Sequence, residues 1–309
     1  MNNGPGDFCG GIPVSRKTAI ALLKASRPPT LLTGLAPVLL GNVLGTVQGG
    51  ADGSGWTVWV VTLLVVILMQ SGANLVNDVQ DAESGVDGAD RLGPQRITQS
   101  GLLPAASVRR AYRVVFILAA LLGGLMVARG GLPLVLLGGC CLAAAWMYTA
   151  GPLPLSRFAM GEALALIFFG PVAVAGTSYL HTLRWSGEDL LVGLGPGFLA
   201  AALMAINNYR DVASDRRAGK HTLATLLGES RARYLPGIFL LLAVLVLWLT
   251  GPLAGRMAVA SVAAALAVLV LFLLVFPRIR PGRGLNTALK RTSLFNLFYA
   301  LLFAGVILA

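Results

Sequence analysis

The sequence predicts an all-α, polytopic membrane protein, and three observations carry that expectation. Of 309 residues, 56% are apolar and 12% are charged, about half the charge of an ordinary soluble domain. Apolar runs of about 20 residues recur from end to end, each long enough to cross a hydrocarbon core of roughly 30 Å. Eight of the 13 acids gather in just two inter-run segments, 78–107 and 209–233. A soluble enzyme, a disordered chain and a secreted disulfide scaffold are thereby excluded.

Residues 1–14 are rich in Gly and Pro and read as a flexible N-terminus. Residues 15–28 set Arg16, Lys17, Lys24 and Arg27 among apolar residues, the pattern of an interfacial helix. No short apolar core with a cleavage site precedes them, so no removable signal peptide is expected. A single domain over 29–309 follows, about nine transmembrane helices around a central cytoplasm-facing cavity. The spans fall at 30–49, 56–77, 108–128, 132–150, 159–180, 189–208, 234–251, 256–276 and 289–309. Several hold Gly or Pro, which membrane helices tolerate.

Charge sets the orientation. With the N-terminus cytoplasmic, that side receives 21 of the 24 Lys and Arg, and the other side receives only Arg129, Arg184 and Arg256. Such a split is the positive-inside signature, and it predicts a multi-pass protein of the cell (inner) membrane with both acidic loops cytoplasmic. The net charge of +11 comes from these inter-span basic residues, which meet lipid headgroups; no nucleic-acid partner is expected. Cys9 stands apart and Cys140–Cys141 sit inside an apolar run, with no ligand spacing around them.

Two clusters carry the chemistry. The first is Asn77-Asp78-Val79-Gln80-Asp81, continuing to Asp87, Asp90, Arg91 and Arg96; the second is Asn207-Asn208-Tyr209-Arg210-Asp211, continuing to Asp215, Arg216, Arg217 and Lys220. Each follows an even-numbered span, a weak internal repeat. Asn207, Asp211 and Asp215 recur every four residues and share one helix face; Asn74, Asp78 and Asp81 form a comparable stripe. One Asp at mid-membrane costs roughly 2.5–3.5 kcal/mol, so four carboxylates buried together must face water or counter-ions. Oxygen ligands without His or Cys favour a hard cation such as Mg2+, which commonly joins one or two carboxylates to substrate phosphates. The nearby Arg and Lys suit the same anion.

With these residues in view, the chain resembles the UbiA-type intramembrane aromatic prenyltransferases, whose two aspartate motifs look like Asn77-Asp78-x-x-Asp81 and Asp211-x-x-x-Asp215. The resemblance runs from about Ala25 to the last span. Further segments resemble the 1,4-dihydroxy-2-naphthoate polyprenyltransferase (MenA-like) branch: Arg27-Pro28-x-Thr30, Asp90-Arg91-Leu92-Gly93-Pro94-Gln95-Arg96, Tyr148-Thr149-x-Gly151-Pro152, and Gly219-Lys220-x-Thr222-Leu223-Ala224. The resemblance implies Mg2+-dependent transfer of a polyprenyl group from its diphosphate to dihydroxynaphthoate, with loss of CO2, giving a demethylmenaquinol. It implies Asp78, Asp81, Asp211 and Asp215 as metal ligands, with Asn77 and Asn208 assisting. Arg91, Arg96, Arg210 and Lys220 would neutralise the leaving diphosphate, and Asp87 and Asn207 would join the substrate site.

An allylic cation must be kept from water, and Tyr148, Phe168 and Phe169 are candidates to face it. Glu162 is the one acid well inside an apolar run, a functional candidate by default, expected to pair with Arg157, to bind the acceptor's hydroxyls or to act as a base. His181 is expected in a surface loop on the far side, and His221 is a candidate phosphate contact. Two rivals stand beside this reading: another aromatic acceptor, such as 4-hydroxybenzoate or homogentisate, and a cation-coupled transporter. Transporters place ion sites near the midplane at broken helices, whereas these acids lie at helix ends beside Arg and Lys.

Overall fold

The computed structural model describes residues 16–49, 55–84, 91–152, 154–250 and 280–308. Every regular element among them is helical. Helix α1 (Arg16–Ala25) leads into α2 (Pro28–Gly49), α3 (Gly55–Glu83), α4 (Ala105–Gly130) and α5 (Leu132–Met147). Next come α6 (Gly161–Phe168), α7 (Pro171–Thr182) and α8 (Gly187–Arg210). Three short helices, α9 (Val212–Arg217), α10 (Leu223–Leu227) and α11 (Glu229–Ala232), precede α12 (Leu235–Thr250) and α13 (Leu285–Leu308).

Among the described residues seven helical segments, with α6–α7 and α11–α12 each taken together, are long and apolar enough to cross a membrane, and α5 is a shorter apolar helix. Eight of the nine expected spans thus fall on helices; the one at 256–276 lies outside the described residues, as does the N-terminal stretch 1–14. Helix α3 runs six residues beyond its expected end. Its 29 residues reach about 43 Å at 1.5 Å per residue, well past a hydrocarbon core of roughly 30 Å. The overhang carries Asn77 to Glu83 into the polar zone.

The span expected at 159–180 is broken at Phe169-Gly170. Pro171 opens α7 without a backbone donor, so α6 cannot continue through it. Gly170 is required there by close approach: a Cβ would stand 2.4 Å from the Leu166 carbonyl and 2.7 Å from that of Gly193. Gly193 and Gly197 of α8, one turn apart, receive the break, and a Cβ on Gly197 would stand 2.5 Å from the Leu166 carbonyl. Small residues at this spacing let membrane helices approach at backbone distance.

Three apolar cores then fix the site. Leu40 and Leu44 of α2, Leu199 of α8, Leu240 of α12 and Phe303 of α13 bind the central bundle. Leu75, Val76 and Val79 of α3 pack with Val108 of α4 and with Ile97 from the loop between them. Ile206 and Tyr209 of α8 pack with Val212, Ala224 and Leu285, seating α9 to α11 at the same end. The outward face is apolar, as contact with lipid requires: Leu132 and Leu136 of α5 are 68% and 62% exposed.

Candidate active site

Helices α2 to α8 and α13 enclose an apolar cavity of about 1250 Å3, walled by residues such as Val65, Met69, Leu142, Ala145, Phe168 and Phe169. At the end where α3 and α8 finish, it meets a polar pocket of about 80 Å3 lined by Asp81, Asp211, Asp215, Arg91, Arg96 and Lys220. Arg27, Asn77, Tyr148, Asn207 and Arg210 line both spaces. The two clusters of the sequence therefore converge on one place.

The two walls repeat one device. Asn77 and Asp81, four apart on α3, both face the pocket, as do Asn207, Asp211 and Asp215. The second series survives the end of α8 because Asp211 N still donates to the Asn207 carbonyl and Asp215 N to that of Asp211, keeping one face aligned through the junction. Thr149 Oγ1 donates to Asn77 Oδ1, orienting that amide.

Each pocket carboxylate already meets a cation. Arg96 pairs with Asp81, and Lys220 Nζ lies 3.6 Å from Asp81 Oδ1 and 3.9 Å from Asp215 Oδ1. Arg210 donates to Asp211 through Nε (2.8 Å) and Nη2 (2.5 Å), and also to Asn207 Oδ1 and Asn286 Oδ1, each at 2.8 Å. Lys220 is delivered by a left-handed turn at Gly219 (φ +67°), a conformation glycine adopts freely. Its backbone N donates to the Asp215 carbonyl, and a Thr222/Thr225 capping box fixes the chain just beyond. Burial pushes the Asp215 carboxyl up to about 7; Lys220 opposes that shift and Asp211 and Asp81 add to it. Burial, with Arg27 close by, brings Arg91 down to about 10.

Asp78 sits elsewhere. It is buried, and its two oxygens accept from Ile97 N (3.0 Å) and Thr98 N (2.9 Å). Three residues of helix turn it about 60° away from Asp81, so it holds the loop rather than lining the pocket. That loop is also fastened at Leu92, whose carbonyl accepts from Asn286 Nδ2 at 2.9 Å. Asn74 likewise serves the scaffold, donating to the Ser26 carbonyl at 2.8 Å.

Glu162 is buried between α6 and α8, and its Oε1 accepts from Asn208 Nδ2 at 2.9 Å. Asn208 lines the pocket, so Glu162 reaches the site through it. The expected pairing of Glu162 with Arg157 is corrected: Arg157 is exposed, and its carbonyl accepts from His221 N. His221 is exposed and lines neither space. His181 is corrected as well. It is buried near the end of α7, with Nε2 2.8 Å from Asn42 Oδ1, because α7 runs past the expected boundary. Asp87 lies outside the described residues.

One residue of the junction was read as an interfacial charge and as part of a resembling segment, with no role assigned in the site: Arg27. Its backbone is left-handed (φ +54°) between α1 and α2, where Thr30 Oγ1 donates to its carbonyl at 2.9 Å. Nothing in the local spacing could place it over the pocket; the signal was its position in the Arg27-Pro28-x-Thr30 segment.

The pocket offers oxygen donors from Asp, Asn, Ser and Thr. Among the described residues no group of three His, Cys, Asp or Glu is close enough to hold a metal alone. That arrangement fits a hard divalent ion held by one or two carboxylates and completed by substrate phosphate.

Comparisons with known proteins agree with this geometry. The model of the UbiA prenyltransferase family matches residues 34–302. A 1,4-dihydroxy-2-naphthoate octaprenyltransferase from Mycobacterium tuberculosis is 35% identical over 89% of this chain and 96% of its own. The Escherichia coli protein of the same name is 36% identical over 69% of this chain and 70% of its own. Among solved structures, a UbiA homolog from Archaeoglobus fulgidus bound to GPP and Mg2+ superposes with a TM-score of 0.67, at 15% identity over 94% of this chain and 100% of that one. A family match from near the start of α2 to near the end of α13, together with curated relatives above 30% identity, makes this chain a member of the UbiA prenyltransferase family and an integral membrane protein.

Proposed function

We propose that this protein transfers a polyprenyl group from polyprenyl diphosphate to 1,4-dihydroxy-2-naphthoate with Mg2+ as cofactor, releasing diphosphate and CO2 and yielding demethylmenaquinol. The observation that carries the reading is the junction itself: a charged pocket that meets a large apolar cavity at residues lining both. The curated relatives named for this reaction supply the acceptor.

Asp81, Asp211 and Asp215, with the amide oxygens of Asn77 and Asn207, would hold Mg2+. Mg2+, when bound, offsets the diphosphate charge and favours cleavage of the prenyl C–O bond. Arg91, Arg96, Arg210 and Lys220 face the oxygens that gain charge as that bond breaks, and fixed cations are most effective where charge develops. Tyr148 stands at the junction and Phe168 and Phe169 on the cavity wall, where ring faces stabilise an allylic cation and water is kept out. The ring's electron pair forms the new C–C bond, and the carboxylate departs as CO2. In this reading the site end faces the cytoplasm, as the basic residues indicate.

Membranes carrying the protein, supplied with polyprenyl diphosphate, Mg2+ and either dihydroxynaphthoate or 4-hydroxybenzoate, test the proposal. A decarboxylated prenyl naphthoquinol from the first acceptor alone is the expected product. Product from hydroxybenzoate alone reassigns the acceptor, and none from either, beside a positive relative, refutes the transferase reading.

A further inference from the structure

We infer that Arg27 binds the carboxylate of the aromatic acceptor, so that an aromatic hydroxy acid is held with its charged end at the junction and its ring in the apolar cavity. This inference rests on the prenyl-transfer reading above. Among the described residues five line both spaces, and two of these, Arg27 and Arg210, are cationic. Arg210 is committed through Nε, Nη1 and Nη2 to Asp211, Asn286 and Asn207. Arg27 is different: its Nη2 is buried and has no partner among the described residues. A buried donor without an acceptor is destabilising, and a ligand that supplies the acceptor recovers that loss on binding.

Position separates Arg27 from the other cations. Arg91, Arg96 and Lys220 line the pocket but not the cavity, while Lys24 and Lys290 line the cavity but not the pocket. Arg27 therefore stands where the two substrates must meet, on the apolar side of the phosphate cations. A guanidinium is planar and can grip a carboxylate through two parallel bonds. The left-handed backbone at Arg27 is strained for a non-glycine residue, and strain of this kind concentrates at functional sites. Here it turns the side chain from the interfacial helix toward the bundle interior.

The test uses the full-length protein in detergent with Mg2+ and polyprenyl diphosphate, comparing wild type, Arg27→Gln and Arg27→Lys. Two acceptors are offered: 1,4-dihydroxy-2-naphthoate and 1,4-dihydroxynaphthalene, which lacks the carboxylate. Arg27→Gln is expected to raise the KM for the naphthoate about ten- to hundredfold, the range for losing a charge-assisted pair. The KM for polyprenyl diphosphate should stay within about twofold, and Arg27→Lys should recover part of the loss. Wild type should prefer the naphthoate and Arg27→Gln should not. Thermal melting of each variant checks that folding is intact. A rise in the diphosphate KM with the acceptor KM unchanged assigns Arg27 to the phosphate and overturns the inference. Unchanged kinetics in a variant of active wild type overturns it alone, whereas a wild type that prenylates neither aromatic fails the parent reading as well.

Discussion

Replacing Asp78 by Asn separates a loop anchor from a metal ligand. Both Asp78 oxygens accept backbone N–H bonds, from Ile97 at 3.0 Å and Thr98 at 2.9 Å. Asparagine keeps one acceptor oxygen and turns an NH2 group toward the other amide, so one bond is lost and two donors face each other. A hydrogen bond to a charged group is worth about 1.5–3 kcal/mol, which is roughly ten- to hundredfold in the equilibrium between seated and unseated loop. The loop carries Arg96, which pairs with Asp81 in the pocket. The expected result is a KM for polyprenyl diphosphate raised by about that factor, with faster hydrogen exchange at residues 97 and 98. The Mg2+ concentration giving half-maximal rate should hardly move. Asp81→Asn, run in parallel, should shift the Mg2+ dependence strongly. If Asp78→Asn moves the Mg2+ dependence as far as Asp81→Asn and leaves exchange at 97 and 98 unchanged, the anchor assignment is wrong.

Other outcomes follow from the same geometry. Asp211→Ala should abolish turnover while leaving membrane insertion intact, and Arg184→Ala, exposed at the opposite end of the bundle, should change activity less than twofold; product assays on quantified membranes read both. Asp215 has its pKa raised to about 7 in the fold, from 3.8. Its contribution to stability is therefore present below about pH 4 and lost as pH rises through about 7, while Mg2+ needs the ionised form. The apparent Mg2+ affinity should climb about tenfold per pH unit up to about 7 and then level, and Asp215→Asn should flatten that profile in a titration of thermal stability against Mg2+. Gly197→Ala places a Cβ 2.5 Å from the Leu166 carbonyl, so α6 and α8 must separate. Overpacking of this kind costs about 1–3 kcal/mol, which should lower the melting temperature by several degrees, with residual activity in proportion to folded protein.

The spans were legible because a bilayer demands apolar runs of a set length, a property of composition alone. Gly170-Pro171 was present in its run, but membrane helices often carry such residues unbroken; the break is decided by Gly193 and Gly197 across the interface, which no local pattern reveals. The two aspartate clusters were visible, and their meeting in one pocket is what the fold adds. The different placement of Asp78 and Asp81 was not visible: three residues apart, they read as one stripe with Asn74, and it is the Ile97 and Thr98 amides, taking both Asp78 oxygens, that separate them. Arg27 and His181 were misplaced for one reason. Each lies at a helix end near an expected boundary, and a shift of one or two residues there exchanges solvent for interior.

Two media meet at the ring formed by Arg27, Asn77, Tyr148, Asn207 and Arg210. On one side lies a charged space suited to a water-soluble product, on the other an oily chamber suited to a lipid-soluble one. Under the proposed chemistry, bond cleavage leaves diphosphate and the prenylated ring on opposite sides of that ring, each already in the phase it prefers. Neither has to pass the other to depart. Reversal would require both to return together from separate solvents and to recapture the CO2 already lost, so departure by separate routes keeps the products from recombining at the site.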